Sequence, residues 1–417
     1  MADNERSQRP VRKLTVKNFS VIKDAELEFG KITVLIGPEA SGKSLLCKLA
    51  YFLSRECLFI AEGRIRLGQD YSAFQEAVKR EFEKWFPRTG WGASDWAVSL
   101  EAGSYTTRIS GTGSVLKMFS FSAEFEAAYV HGRDTSFPNN LYLPALELRG
   151  LSGRGVWDRA TYIPSERTYF VDTNKGYRSL ASDPDPLTKS FAAYYDNSRD
   201  PAIPKMRMRS FLRGDLIAGE DSWLFAFDDG RRLPLSELSS GSKELLPLLL
   251  VLEMYEHQRP STLQQIESGT AQSIWFTFDD FFVEEPEAHV FPATQQALVR
   301  YFTEMTNDRQ IRPHFTITTH SPYVLSAFGN LIKAGDIAKD MPSHTPSVES
   351  IIPRKYWIDR EEFRAYALKP SQDEPSKFIL VSIFDRDTGE LNGDYLDDVS
   401  SEIAEEFSKL LELQYGG

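Results

Sequence analysis

Apolar and polar positions alternate between Val11 and Phe29, which predicts two short strands at Leu14-Thr15-Val16 and Ala25-Glu26-Leu27-Glu28-Phe29. Lys31-Ile32-Thr33-Val34-Leu35-Ile36 is nearly continuous apolar sequence and reads as a buried strand. Leu45 to Leu53 follows with helical character. Phe74, Ala77, Val78, Phe82 and Trp85 share a helical face across Tyr71–Phe86, and Pro87 ends that helix. From Trp96 to Tyr129 the pattern predicts a β-meander, with turns at Ala102-Gly103-Ser104 and Gly111-Thr112-Gly113.

In the second half, Ser222–Phe227 and Leu233-Pro234-Leu235 flank Asp228-Asp229-Gly230, the pattern of a hairpin. A strongly apolar helix is expected over Ser242–His257 and a polar loop over 258–272. A strand at Ser273–Val283, a helix from Pro292 to Thr306 and a buried strand at His314–Thr319 come next. Asp280 interrupts the first of these strands, which suggests a late start. Strands alternating with helices predict an α/β fold, a mostly parallel sheet flanked by helices with an antiparallel β subdomain. The expected division is a mobile tail at 1–10, a core of 11–60 and 216–417, and an inserted mixed α/β lobe at 61–215.

Composition narrows the class without naming a chemistry. The 417 residues are 41% hydrophobic and 26% charged, ordinary for a globular protein, and the net charge of −12 opposes wrapping by nucleic acid. A local basic groove stays compatible with that charge. Cys47 and Cys57 lack zinc spacing and are expected to be reduced. The polar first ten residues and the lack of a long apolar run lead to the expectation of a cytoplasmic chain without a membrane span.

Chemistry enters at Gly37-Pro38-Glu39-Ala40-Ser41-Gly42-Lys43-Ser44, which fits the phosphate-loop pattern between a strand and a helix. Backbone N–H groups of such a loop surround phosphates, Lys43 reaches the outer ones, and the Ser44 hydroxyl ligates magnesium. ATP with Mg2+ is the expected ligand. Leu238-Ser239-Ser240-Gly241-Ser242 opens a helix, either as a second anion site or as an ordinary cap. Glu284-Glu285-Pro286-Glu287 ends an apolar strand, where one carboxylate can stand near magnesium and the next near an attacking water, or where an acidic turn simply closes the strand. His320, in Thr318-Thr319-His320-Ser321-Pro322, can contact a γ-phosphate or serve as a hydrogen-bonded structural residue.

Taken in order, these motifs resemble the ABC-type ATPase heads of the SMC/RecF/OLD superfamily. The resemblance includes the start Leu14–Phe19, the Walker A loop, the signature Leu238–Ser242, the Walker B stretch Glu284–His289 and the switch segment Thr319–Pro322. Tyr162-Ile163-Pro164-Ser165-Glu166-Arg167 resembles a segment of the stand-alone OLD-like branch. The resemblance implies a P-loop ABC-type head that forms head-to-tail dimers or higher homo-oligomers. Lys43 and Ser44 would hold phosphates and magnesium, with Glu284 on the magnesium side and Glu285 as the base. His320 would be the switch residue, and Ser239, Ser240 and Gly241 would close on the partner's nucleotide. Glu284 departs from the more common Asp, and neither Gln69 nor Gln75 makes a convincing Q-loop residue.

Stand-alone heads of this branch often accompany a separately encoded effector in bacterial anti-phage defence, and that role is the leading expectation. A RecF-like DNA-binding repair ATPase is the alternative. About ninety residues follow Pro322, short for a Toprim nuclease, and Asp385-Arg386-Asp387 is expected to be a hairpin turn. Tyr395–Leu413 has the spacing of an amphipathic helix. Lys205–Arg213 is the notable basic cluster, read either as a contact for a nucleic-acid backbone or as a set of ion-pair partners in an acidic chain.

Overall fold

The computed structural model describes residues 12–135, 159–172, 186–219, 222–267, 279–308 and 313–392. The strands are β1 (Arg12–Phe19), β2 (Ile22–Glu28), β3 (Ile32–Ile36), β4 (Asp95–Ala102), β5 (Tyr105–Thr112), β6 (Val115–Phe121) and β7 (Arg159–Ile163). They continue as β8 (Gly214–Ala218), β9 (Trp223–Phe227), β10 (Arg232–Pro234), β11 (Asp279–Glu284), β12 (His314–Thr319), β13 (Phe363–Pro370) and β14 (Phe378–Ser382). The helices relevant to the site are α1 (Lys43–Tyr51), α2 (Cys57–Arg66), α3 (Tyr71–Trp85), α4 (Ala123–Thr135), α5 (Thr168–Asp172), α6 (Pro186–Ser198), α7 (Met206–Leu212), α8 (Ser240–Glu267), α9 (Pro292–Asn307) and α10 (Pro322–Asp340).

Among the described residues, an 11-stranded sheet runs in the order β6-β5-β4-β1-β2-β14-β13-β3-β12-β11-β7. Its centre is parallel: β13 and β12 flank β3, β11 lies beside β12, and β7 beside β11. The β6-to-β1 end is antiparallel, and β8–β10 form a separate three-stranded sheet. The chain is therefore an α/β protein with a parallel core, helices on both faces and an antiparallel extension.

Period-two alternation sorts the core strands between two apolar layers. Ile32, Val34 and Ile36 of β3, with Phe281 and Val283 of β11, pack into the layer containing the leucines of α8. Leu35 and Phe282 point the other way, toward α1, α3 and the antiparallel strands. Strands buried on both faces read as continuous apolar runs, which is the pattern of Lys31–Ile36.

Three expectations change. The meander ends at Phe121, because Phe125 and Tyr129, four residues apart, bury one face of α4 against Phe74. The expected loop at 258–272 is helical as far as Glu267, since polar composition does not separate a loop from a solvated helix. Asp280 lies within β11, which begins at Asp279 among the described residues; it is buried and paired with Arg12 at 2.9 Å, so the ion pair lets a charge lie within the strand. Finally, β4–β6 and β7 belong to the main sheet, so strand pairing does not divide the chain at 60 and 215. The helix after the phosphate loop passes through a π-helical turn at Phe52–Glu56 into α2. Cys47 and Cys57 are free and buried, and burial raises both thiols well above their usual range.

The Asp385 region forms the expected turn. The Asp385 side chain accepts from the N–H groups of Asp387 and Thr388, and Phe384 bridges Leu391. Tyr395–Leu413, the tail at 1–10 and residues 273–278 lie outside the described residues.

Candidate nucleotide site

The parallel core gathers the predicted motifs at one edge. The loop Gly37–Ser44 leaves the C-terminal end of β3, Glu284 and Glu285 end β11, and His320 follows β12, which lies between those two strands. Ligands of open α/β sheets bind in the crevice beyond the carboxyl ends of such strands.

Within the loop, Ala40 and Gly42 have φ of 55° and 103°. The φ of Gly42 favours glycine where the loop enters α1, and a Cβ there would come within 2.6 Å of Ile22 Cδ1. Lys43 turns back and donates from Nζ to the carbonyl oxygens of Gly37 (2.8 Å) and Pro38 (2.9 Å). Burial lowers its pKa, opposed by the carboxylates of Glu285, Glu39 and Glu287. Ser41 Oγ is buried without a hydrogen-bond partner in the structure. A cramped glycine turn, an orphaned hydroxyl and a folded-back lysine fit a polyphosphate, which would draw Nζ from the carbonyls to a stronger, charged acceptor.

The two acids at the end of β11 stand in different surroundings. Glu284 is buried and accepts from Tyr162 Oη (2.5 Å) on one carboxylate oxygen and from the Ser165 N–H (3.2 Å) on the other. Glu285 is half exposed, has φ of 41°, and brings Oε1 to 3.4 Å from His320 Nε2. Its pKa is lowered, first by the His320 hydrogen bond, against the effect of burial. A bulky residue held at positive φ stores local strain that the surrounding structure must enforce. Here the Glu285 N–H donates to the Thr318 carbonyl (2.9 Å), and its carbonyl accepts from Arg167 (2.9 Å).

Glu287 holds the switch segment in place. Its carboxylate accepts from Thr319 Oγ1 (2.6 Å) and the His320 N–H (2.7 Å), and burial raises its pKa. Gln295 then ties Ser321 Oγ (2.5 Å) to the Val290 carbonyl (2.8 Å). Among the described residues, no group of three or more His, Cys, Asp or Glu side chains gathers as a metal cage. Magnesium carried by phosphates needs only one or two protein oxygens, and the Ser44 hydroxyl and Glu284 carboxylate are hard donors suited to it. The Glu284 carboxylate adds to the burial that raises the pKa of Cys47 in α1.

The Leu238–Ser242 turn caps α8. Ser239 Oγ accepts from the Ser242 N–H (3.3 Å), Leu238 is buried and Ser239 and Ser240 are exposed. A Cβ on Gly241 would meet the His289 carbonyl oxygen at 2.7 Å, so the turn packs against the loop after Glu285.

Tyr162, Arg167 and Glu287 stand in the sequence motifs without a role of their own there, and Gln295 and Glu244 lie outside those motifs. Arg167 is fully buried and reaches the carbonyls of both acids at the end of β11, Glu284 and Glu285. Three members of the basic cluster have partners within the chain, and Arg213 is exposed. Arg209 pairs with Asp215 (2.7 Å) and Asp228 (2.8 Å), Arg207 with Glu304 (3.0 Å), and Lys205 donates to the carbonyls of Asp200 and Ile203.

Residues 173–325 match the AAA ATPase domain family, a span that contains the α8 cap, the acidic strand end and His320. No curated protein matches the chain. Similar solved structures include the SMC head domain from Thermotoga maritima, with TM-score 0.43 and 12% identity over 90% of this chain and 99% of that one. A second is the Smc head bound to the C-winged helix domain of ScpA, with TM-score 0.39 and 13% identity over 89% and 97%. A third is the Smc head with an extended coiled coil bound to the C-terminal domain of ScpA derived from Pyrococcus furiosus, with TM-score 0.40 and 11% identity over 95% and 100%. Together with the loop geometry, the family match supports an ATP-binding ATPase. Among the described residues, no helix is long and apolar enough to cross a membrane.

Proposed function

We propose that the chain is an ATP hydrolase whose active form is an ATP-gated dimer. The observation that carries this reading is the Glu285–His320 contact at the mouth of the phosphate loop, 3.4 Å between Oε1 and Nε2. Glu285 is the general base. Its half-exposed carboxylate can reach a water, and its lowered pKa keeps it ionised to take the proton. His320 orients that carboxylate and reads the γ-phosphate. Gly37 to Ser44 hold the phosphates, and Lys43 moves from the Gly37 and Pro38 carbonyls to the outer ones. Ser44 and Glu284 would hold magnesium, which supplies charge neutralisation at the transferring phosphoryl group.

Ser239, Ser240 and Gly241 close on the nucleotide of a second subunit, a reading supported by the exposure of both serines and the firm seat of Gly241. Ser239→Arg is the test. The variant should remain folded and bind ATP yet lose turnover and ATP-dependent dimerisation. Turnover at the wild-type rate would contradict a composite site.

By its resemblance to stand-alone OLD-like heads, the dimer regulates a separately encoded nuclease or toxin in anti-phage defence. The pairing of Arg207 and Arg209 within the chain supports the effector reading over a DNA-binding repair ATPase. Purification of tagged Glu285→Gln with ATP and magnesium from the native host distinguishes the two. A stoichiometric protein supports the effector reading, and DNA without protein supports the repair reading.

A further inference from the structure

Arg167 draws its partners from two parts of the site. Nη1 donates to the carbonyls of Pro164 (2.7 Å) and Glu284 (2.6 Å), and Nη2 to the carbonyl of Glu285 (2.9 Å). Nε donates to the Glu244 carbonyl (3.1 Å), and Nη2 lies 3.0 Å from Glu244 Oε2. Glu244 is in the first turns of α8, beyond the Leu238–Ser242 cap. One planar guanidinium thus joins the backbone of the acidic strand end to the helix that presents the exposed serines. The Gly241 backbone against the His289 carbonyl is a second, independent contact between the same two parts.

Stability alone is a poor reason for this arrangement. Burial disfavours both charges, lowering the Arg167 pKa and raising that of Glu244, with their mutual attraction acting against it. A buried ion pair often stabilises no more than an apolar pair of similar volume, although removing one partner is costly. The fork of guanidinium donors does fix relative position, because four carbonyls converge on one rigid group, with the Glu244 carboxylate beside it as an ion-pair contact.

We propose that Arg167 is a positioning residue that transmits engagement of the Leu238–Ser242 turn to Glu285 of the same subunit. This rests on the composite-site reading above. In a head-to-tail dimer, the turn of one subunit meets its partner's nucleotide, whereas its own Glu285 serves its own nucleotide. A rigid link between turn and Glu285 therefore couples the two nucleotide sites, and a partner's ATP sets the carboxylate that cleaves the subunit's own.

The test is the ATP dependence of hydrolysis in the full-length protein, with nucleotide binding, dimerisation and thermal unfolding measured in parallel. Wild type should give a Hill coefficient of about 2, the limit for two coupled sites. Glu244→Gln and Arg167→Lys should lower it to about 1 and reduce kcat roughly 10-fold, with nucleotide affinity changed less than about 3-fold. A purely structural role would lower melting temperature and binding together and leave cooperativity intact in the folded fraction. A Hill coefficient near 2 in the folded variants, or of 1 in wild type, overturns the inference and leaves the ATPase reading standing. Absence of turnover and ATP-dependent dimers in wild type overturns that reading itself. Should Arg167→Lys fail to fold, Glu244→Gln decides alone, since it removes the ion pair that ties the guanidinium to the α8 side chain while the carbonyl bonds keep the arginine seated.

Discussion

His320 Nε2 lies 3.4 Å from Glu285 Oε1, joining residues that follow two neighbouring parallel strands. Glu287 sets this distance by accepting from the His320 N–H (2.7 Å) and from Thr319 Oγ1 (2.6 Å). With its proton on Nε2, the imidazole donates to the carboxylate and favours its ionised form, the form a general base requires.

His320→Ala should therefore move the acid limb of the ATPase pH profile to higher pH. The sign follows from linkage: the folded-state pKa of Glu285 is depressed, so its contribution to stability is present above the unfolded carboxylate value and is lost as pH falls through the folded one. Removing the imidazole removes the main cause of the depression, and Glu285 then protonates earlier on acidification. An unchanged acid limb, measured as kcat/KM against pH, would mean that another group controls the profile.

Lys43→Ala should weaken ATP binding by about 100-fold or more, the loss expected when a charge-assisted contact to phosphate disappears. The fold should survive, because Nζ bonds only the Gly37 and Pro38 carbonyls of its own loop. Titration calorimetry checks the affinity. Micromolar binding retained by the variant would contradict the phosphate-loop assignment.

Tyr162→Phe deletes the 2.5 Å donor to Glu284 and leaves a buried carboxylate oxygen short of a partner. A cost of about 1–3 kcal/mol in unfolding free energy is expected. Denaturant titration measures it. Wild-type stability in the variant would show that this bond does not anchor Glu284 in solution.

Much of the site was legible because its motifs are local. Strand, glycine turn and helix are contiguous over Lys31–Leu53, and each acid or histidine directly follows an apolar strand. Arg167 was harder to place because its partners are backbone carbonyls of Glu244, Glu284 and Glu285, distant in sequence and silent in side-chain pattern. An arginine four residues after the apolar strand Tyr162-Ile163 was the available signal. The continuity of β4–β7 with the parallel core was hidden for a different reason, since strand pairing between Arg12–Lys17 and Ala97–Ala102 depends on long-range register. Helix at 258–267 was obscured by polar residues, whose composition suits a loop and a solvated helix equally well.

The most direct test of the account is Glu285→Gln, assayed for ATP turnover and for mass in solution with ATP and magnesium. Hydrolysis should fall by about 10²–10⁴, the usual worth of a general base, while ATP binding persists and the protein accumulates as a dimer. A variant that turns over ATP at the wild-type rate, or that binds ATP and stays monomeric, would contradict the central claim.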